Sequence, residues 1–135
     1  MRVIDLLQLI YASRPFGFDD GMLNGILLSA RRNNTRDDIT GALICRADLY
    51  LQLIEGPEDA IEAAYARIAS DNRHLEVRRY VTARPTERMF PAWAMRDDPA
   101  RSWMWTQAEV QAGALDRATP EDFLAVFARL AAEPE

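Results

Sequence analysis

The sequence has 135 residues, a formal net charge of -5 and 49% hydrophobic residues, which is typical of a single packed domain. The acidic balance argues against a general nucleic-acid binder, which normally displays a basic surface. All 16 basic residues are arginine, so chemistry that needs lysine, such as a P-loop or a Schiff base, is excluded. No apolar run approaches the roughly 20 residues of a membrane span, and the N-terminus lacks a signal-peptide pattern. We therefore expect a cytoplasmic protein without a nucleic-acid or membrane partner.

Cysteine and histidine are too scarce to build a metal site. Cys45 is the single cysteine and His74 the single histidine, so neither an internal disulfide nor a cysteine or histidine zinc site is predicted. Cys45 is expected to be a small buried residue in a strand. His74 is expected to belong to a turn between a helix and a strand.

The pattern of apolar residues predicts an alternation of strands and helices. Continuous apolar runs bounded by glycine, proline or asparagine indicate strands, and apolar residues at helical spacing indicate helices. The predicted strands are 3–12, 39–46, 49–57, 76–83 and 90–96. The predicted helices begin near Asp19 and at Pro57, ending near 31–34 and at 70–74, and two more cover about 106–112 and 120–131.

This order of elements predicts an α+β fold. It resembles the ferredoxin-like pattern with one added strand: a five-stranded mixed or antiparallel sheet with two helices on one face. The other face would be bare, and the two C-terminal helices can cover it. We expect residues 1–98 to form the main domain and residues 99–135 a connector and helical cap.

Gln52 is a polar residue in the middle of an apolar strand. Side chains alternate across a strand, and apolar residues occupy both faces: Tyr50 and Ile54 beside Gln52, and Leu49, Leu51 and Leu53 opposite. Leaving a buried amide unpaired costs roughly 1–3 kcal/mol. Gln52 must therefore have partners, and the polar or aromatic candidates are Tyr11, Asn33 or Asn34, and Trp93 with Met95, each of which alone has an ordinary structural explanation.

Taken together, five segments resemble the successive motifs of BLUF domains, the blue-light sensors that use flavin adenine dinucleotide (FAD). The resemblance spans about Val3 to Arg96. Its motifs are Tyr11-Ala12-Ser13, residues 33–41 beginning Asn33-Asn34, residues 52–57 beginning Gln52-Leu53, residues 71–74, and residues 88–95 containing Trp93 and Met95. The C-terminal segment resembles the two-helix cap of short stand-alone members and not an effector domain.

The resemblance implies a photoreceptor and not an enzyme. FAD would lie noncovalently between the two helices of the sheet, with Asn34 bonded to the pyrimidine edge of the flavin ring. Gln52 would sit between the flavin and the Tyr11 hydroxyl. Blue light would move an electron and a proton from Tyr11 toward the flavin and back, leaving Gln52 rotated or tautomerised.

The resemblance also assigns the surroundings of this relay. Trp93 and Met95 would lie beside Gln52, and Asn33 and Arg36 would lie near the cofactor. A sensor of this kind would signal to a downstream partner protein through strand five and the C-terminal region. We expect it to self-associate as a dimer.

Two other classes of protein compete with a sensor. A small ferredoxin-like hydrolase would need an anion-binding loop, and the segment Arg14-Pro15 to Gly17 supplies only an arginine and one glycine. A cofactor-free interaction domain is disfavoured by the interior Gln52 and Tyr11. The colour of the purified protein distinguishes these classes, because only the flavin sensor is yellow.

Overall fold

In the part of the chain that the structure describes, strands and helices alternate around one sheet up to Pro99, and three helices follow. A computed structural model describes residues 6–15, 20–46, 48–70, 74–91, 95–99 and 104–133. Its elements are β1 (Leu6–Pro15), α1 (Asp20–Asp37), β2 (Thr40–Arg46), β3 (Leu49–Pro57), α2 (Glu58–Ala69), β4 (His74–Ala83), β5 (Arg96–Pro99), α3 (Gln107–Gln111), α4 (Ala114–Arg117) and α5 (Pro120–Ala131).

Four strands form an antiparallel sheet in the order β4-β1-β3-β2. The short β5 pairs in parallel with the outer edge of β2. The predicted α+β class is confirmed, and the order of the four long strands is that of a ferredoxin-like sheet. β3 lies in the interior of this sheet, so the strand that carries Gln52 is bonded on both sides.

The two faces of the sheet have separate hydrophobic cores. On the face that we call the helix face, Tyr50 and Ile54 of β3 pack with residues of α1 and α2, among them Ile26, Leu27, Ile61 and Ala64. On the opposite face, which we call the tail face, Leu49, Leu51 and Leu53 pack with the C-terminal helices, chiefly through Phe123, Phe127 and Leu130 of α5. The alternation along β3 therefore distributes its side chains as the sequence predicts.

The prediction of a strand over residues 90–96 is wrong at its start, because Phe90 lies in a bend and Pro91 in a turn. Residues 92–94 lie outside the described residues, and β5 begins at Arg96. Two features prevent sheet pairing here. Pro91 has no backbone N–H to donate, and the backbone N–H of Phe90 is bonded to the Glu55 carboxylate at 2.7 Å.

The predicted end of the first helix is also wrong. α1 continues through Asp37 and ends at Asp38, whose φ of 60° is left-handed. The N–H of Ile39 bonds back to the carbonyl of Asn34 at 2.9 Å, the backbone bond typical of a left-handed helix end. Asn33 and Asn34 therefore lie in the last turns of the helix and do not cap it.

Smaller differences concern the other element ends. β1 continues to Pro15, and His74, predicted to lie in a turn, is the first residue of β4. The short helix α4 between the two predicted C-terminal helices was not anticipated. Among the described helices, none has the length and apolar character needed to span a membrane.

Candidate functional site

Tyr11 and Gln52 are direct cross-strand neighbours in the centre of the sheet. They are paired in the antiparallel register of β1 and β3, and both side chains lie on the helix face. The hydroxyl of Tyr11 donates a hydrogen bond to Oε1 of Gln52. The backbone ladder thus fixes this contact, and the buried amide oxygen has the partner that its position requires.

The amide nitrogen of Gln52 has a different partner. Nε2 donates to Sδ of Met95 at 3.3 Å, and Met95 is buried among the helix-face residues just before β5. The two ends of the Gln52 amide are therefore distinguished: the oxygen faces a phenol and the nitrogen faces a thioether. Tyr11, Gln52 and Met95 form a continuous hydrogen-bonded chain.

Tyr11 is held as a neutral phenol. Its side chain is buried, and burial, with a smaller contribution from the neighbouring Tyr65, raises the pKa of Tyr11 well above its ordinary value. The Tyr65 ring meets the Tyr11 ring edge-on, with centroids 5.4 Å apart, and the Arg79 guanidinium lies over Tyr65 at 4.4 Å. The phenol can therefore donate a proton but is not ionised at neutral pH.

A β-bulge accompanies this arrangement. The register of β1 and β4 shifts between Ile10 and Tyr11, which face Val81 and Arg79 respectively. Tyr80 is the extra residue, and both Tyr80 and Val81 pack on the tail face. The bulge thus lets Arg79 lie on the helix face beside Tyr65, while its neighbour contacts the C-terminal helices; bulges are frequent next to functional sites.

A cleft of about 220 Å³ opens between α1 and α2, directly over Gln52. Its lining is mostly small or apolar with a few amides and cations: Ile26, Ser29, Ala30, Arg32, Asn33 and Asn34 of α1, Gln52 and Ile54 of β3, and Ala64, Arg67 and Ile68 of α2. An apolar slot with a few convergent polar groups is the usual form of a small-molecule site. Tyr11 does not line the cleft, but it is hydrogen-bonded to Gln52, which does.

The structure brings together some of the predicted site residues and not others. Gln52, Asn33 and Asn34 line one cleft, and Asn34 is buried. Arg36 does not line it; its exposed guanidinium pairs with Asp37 through contacts of 2.9 and 3.0 Å. Trp93 lies outside the described residues.

Sequence reasoning missed a buried carboxylate on β3, on the face opposite to the cleft. Glu55 is completely buried and accepts hydrogen bonds from Nε2 of Gln8, at 3.0 Å, and from the N–H of Phe90. Arg88 adds contacts from the same segment to the carbonyls of Glu55 and Asp38, at 3.2 and 2.8 Å. Glu55 continues the apolar alternation of β3, and this was the signal that could have marked it as a second interior polar group.

The geometry defines a class of protein: an α+β fold with a candidate ligand cleft above a buried phenol and amide. Residues 6–96 match the family described as BLUF, sensors of blue-light using FAD. The match covers well over half of the chain, and the chain belongs to the BLUF family. Its cofactor is accordingly FAD, and the family module is a sensor and not an enzyme.

Relatives and solved structures agree with this membership. Subunit beta of a photoactivated adenylate cyclase from Euglena gracilis is 36% identical over 91 residues, which is 67% of this chain and 10% of that protein. The blue light- and temperature-regulated antirepressor BluF of Escherichia coli is 38% identical over 48 residues, 36% of this chain and 12% of that protein. The chain spans about a tenth of the length of these relatives.

One solved structure matches nearly end to end. The dark-state structure of BlrB, a BLUF protein, superposes with a TM-score of 0.75 and 30% identity, covering 97% of this chain and 98% of that one. The likeness includes the C-terminal helices as well as the sheet.

The cleft fits the ring end of a flavin. Amides at Asn33, Asn34 and Gln52 offer both donors and acceptors, which complements a ring edge of alternating carbonyl and N–H groups. Small side chains at Ser29 and Ala64 leave the slot open. Pockets that hold a whole ligand usually measure about 300–1,000 Å³, so a cleft of about 220 Å³ is too small to enclose an entire dinucleotide.

Proposed function

We propose that this chain is a blue-light photoreceptor in which Tyr11, Gln52 and Met95 form the switch. The observation that carries the proposal is their hydrogen-bonded chain, in which the central amide also lines the cleft. Three separate elements contribute to it: β1, β3 and the segment before β5. A change in the middle member therefore affects both of its neighbours.

Tyr11 is the redox-active and proton-donating member. The bound FAD, when excited by blue light, supplies the electron acceptor. Tyr11 would give up one electron and, through Gln52, its hydroxyl proton toward the flavin, and it would later recover both, so there would be no net oxidation. Because its raised pKa keeps the phenol protonated, the proton is available at any physiological pH.

Met95 distinguishes the two orientations of the Gln52 amide. In the structure, Nε2 of Gln52 donates to the sulfur of Met95. A thioether accepts hydrogen bonds but cannot donate them, so a rotation that turns Oε1 toward Met95 breaks this contact. Rotation or tautomerisation of Gln52 would thus change how the segment before β5 is held. A free-energy difference of a few kcal/mol between two conformations of this segment is enough to shift their populations.

The remaining cofactor contacts follow the family motif. Asn34 would bond to the pyrimidine edge of the flavin ring, with Asn33 beside it and Arg36 acting near the entrance of the cleft. Trp93 would share the position next to Gln52 with Met95. Asn34 is supported by its burial at the cleft wall.

The signal would leave through β5 and the C-terminal segment, residues 99–135, to a separate cytoplasmic partner protein. Segments similar to this chain occur within a photoactivated adenylate cyclase subunit and an antirepressor. This supports output to an effector. A dimer of this chain would present two such surfaces.

The test is the visible absorption spectrum of the purified protein before and after blue light. We expect a flavin spectrum that moves slightly to longer wavelength and returns in the dark. Tyr11→Phe and Gln52→Leu should retain the flavin and lose the shift, whereas Tyr65→Phe, which keeps the ring beside Tyr11, should retain both. If the protein binds flavin but shows no reversible shift, the fold assignment stands and the proposed switch of Tyr11, Gln52 and Met95 is refuted.

A further inference from the structure

A second tyrosine lies against the redox-active one. The ring of Tyr65, on α2, meets the ring of Tyr11 edge-on with centroids 5.4 Å apart, which is direct contact for two aromatic rings. Tyr65 is half-buried, whereas Tyr11 is buried. An electron can pass between rings in contact, so a second phenol lies within reach of the electron transfer from Tyr11.

Oxidation of Tyr65 would interrupt the reversible cycle. Tyr65 would give one electron to the oxidised Tyr11 and its hydroxyl proton to the solvent, to which a half-buried side chain has access. Tyr11 would regain its own proton through Gln52. The electron would then stay with the cofactor while the oxidised group is Tyr65, so the direct return of both particles to Tyr11 would be lost.

A cation covers the ring of Tyr65. The guanidinium carbon of Arg79 lies 4.4 Å from the ring centroid. The π electrons of an aromatic ring attract a cation over its face, and this attraction weakens when the ring loses an electron. Arg79 therefore stabilises the reduced form of Tyr65. Tyr11, in contrast, has the amide oxygen of Gln52 as an acceptor for its proton, which favours its oxidation.

Two features hold Arg79 over this ring. The β-bulge between β1 and β4 turns Arg79 to the helix face, whereas the preceding Arg78 is paired with Ala12 of the tail face. Glu62, three residues before Tyr65 and therefore on the same side of α2, accepts a hydrogen bond from Arg79. The side chain of Glu62 is 50% exposed and that of Arg79 is 30% exposed, so solvent screens the carboxylate more strongly than the cation over the ring.

We propose that Arg79 determines which of the two phenols is oxidised: its guanidinium keeps Tyr65 reduced, so that Tyr11 alone loses and regains the electron. Arg79 acts through Tyr65 and is a positioning residue for the photochemistry. The inference rests on the proposed function, because it requires Tyr11 to be the electron donor to the excited flavin.

The yield of tyrosyl radical and the completeness of the dark return test this proposal together. The full chain with bound flavin is frozen under blue light for electron paramagnetic resonance, and a parallel sample is cycled between light and dark while its absorbance is recorded. In Arg79→Gln, the radical signal and the fraction of absorbance not recovered per cycle should both increase about tenfold, as expected for the loss of a cation–π contact.

Two further variants assign the effect to the cation and to the second phenol. Arg79→Gln with Tyr65→Phe should return both measurements to those of the native protein, because Phe has no oxidisable hydroxyl. Arg79→Lys, which retains a cation, should resemble the native protein. Reversal by Tyr65→Phe would not follow if Arg79→Gln merely destabilised the fold, and urea unfolding of each variant measures that effect separately.

Arg78→Gln is the matched control. It removes the same charge from the adjacent position of β4, but Arg78 pairs with Asp116 of α4 at 2.8 Å, on the opposite side of the sheet. The radical signal and the dark return should both be unchanged in this variant.

The outcomes separate the two proposals. If the native protein shows the reversible shift and Arg79→Gln has an unchanged radical signal, the role of Arg79 is overturned and the switch stands. An enlarged signal that persists after Tyr65→Phe would have the same meaning. Absence of the reversible shift in the native protein would overturn both proposals.

Discussion

The guanidinium of Arg31 donates two hydrogen bonds to the backbone carbonyl of Met95, from Nε at 3.2 Å and from a terminal nitrogen at 3.1 Å. Arg31 lies on α1, three residues before Asn34 of the cleft wall. Met95 is thus held at two points: its backbone by the helix and its side chain by Gln52. The family resemblance places Met95 beside Gln52, whereas the contact with Arg31 was not apparent from the sequence.

Removing the Arg31 contact should slow the return to the dark spectrum. In Arg31→Gln the Met95 carbonyl loses a charge-assisted partner, so the sulfur is held less firmly and the Gln52 orientation seen here is stabilised less. A hydrogen bond to a charged group contributes about 1.5–3 kcal/mol and a neutral one about 0.5–1.5 kcal/mol, so replacing the guanidinium by an amide should cost about 1 kcal/mol and make the return roughly fivefold slower. The measurement is the recovery of absorbance after a blue-light pulse.

A double-mutant cycle shows whether Arg31 acts through the Met95 side chain. Met95→Leu removes the sulfur and keeps the volume, and in this background Arg31→Gln should have little further effect on the recovery rate. An equal effect in both backgrounds would show that Arg31 influences recovery by another route. Arg84→Gln, which removes an exposed arginine after β4, serves as the charge control.

Tyr11 should make the folded state sensitive to alkaline pH. Its folded pKa is raised by burial, so its stabilising effect is complete below the unfolded pKa of about 10 and is lost as pH rises from there toward the folded value. Between these pH values the free energy of unfolding should fall by up to roughly 1.4 kcal/mol per pH unit from this group. Urea unfolding at a series of pH values measures the slope, which should be shallower in Tyr11→Phe. Equal slopes in the two proteins would contradict the assignment.

Glu55→Gln should destabilise the protein although it is nearly isosteric. The Glu55 carboxylate accepts from both Gln8 and Phe90. An amide at position 55 can accept from Phe90 only by turning its NH₂ toward Gln8, so the Gln8 amide must also turn over and present its oxygen. Two hydrogen bonds to a charged group then become neutral ones, at a cost of about 1–3 kcal/mol, measurable by urea unfolding. The exchanged pair Gln8→Glu with Glu55→Gln returns a carboxylate to the pair and should recover part of the loss. No recovery would mean that the negative charge at position 55 matters in itself.

Gly41→Ala should be the most damaging of the small substitutions. A Cβ at Gly41 would lie 2.0 Å from the carbonyl oxygen of Leu53, which is backbone and part of the central sheet. Separating β2 from β3 should cost about 3 kcal/mol or more. Gly113→Ala is the comparison: its φ of 87° predicts a loss of about 1–2 kcal/mol, and its nearest neighbour is the flexible side chain of Arg117. Thermal unfolding should rank the two variants in this order.

The sheet could be predicted because its strands carry a simple pattern. β3 alternates side chains between two cores, so the facing directions of Tyr50, Leu51 and Gln52 follow from the sequence alone, and α5 begins and ends where its capping threonine and apolar stripe indicate. These features depend on neighbours along the chain, which a sequence displays directly.

The parts that could not be predicted depend on individual hydrogen bonds that the sequence pattern does not display. Asn34 resembles a helix end, but its carbonyl is used by Ile39 and the helix continues to Asp37. Phe90 resembles the start of a strand, but its N–H is taken by the Glu55 carboxylate. In both cases a hydrogen bond that the local sequence does not show overrides local preference.

The alternation of side chains along β3 has a consequence for the path between the cleft and the C-terminal helices. Gln52 faces the cleft, while its immediate neighbours Leu51 and Leu53 pack in the core that includes α5. Successive side chains of a strand point to opposite faces of one layer of peptide groups. A displacement of the backbone at Gln52 would therefore also move Leu51 and Leu53. The floor of the cleft and the surface on which α5 packs are therefore the two faces of the same strand. The shortest path from the cleft to α5 crosses the sheet at β3.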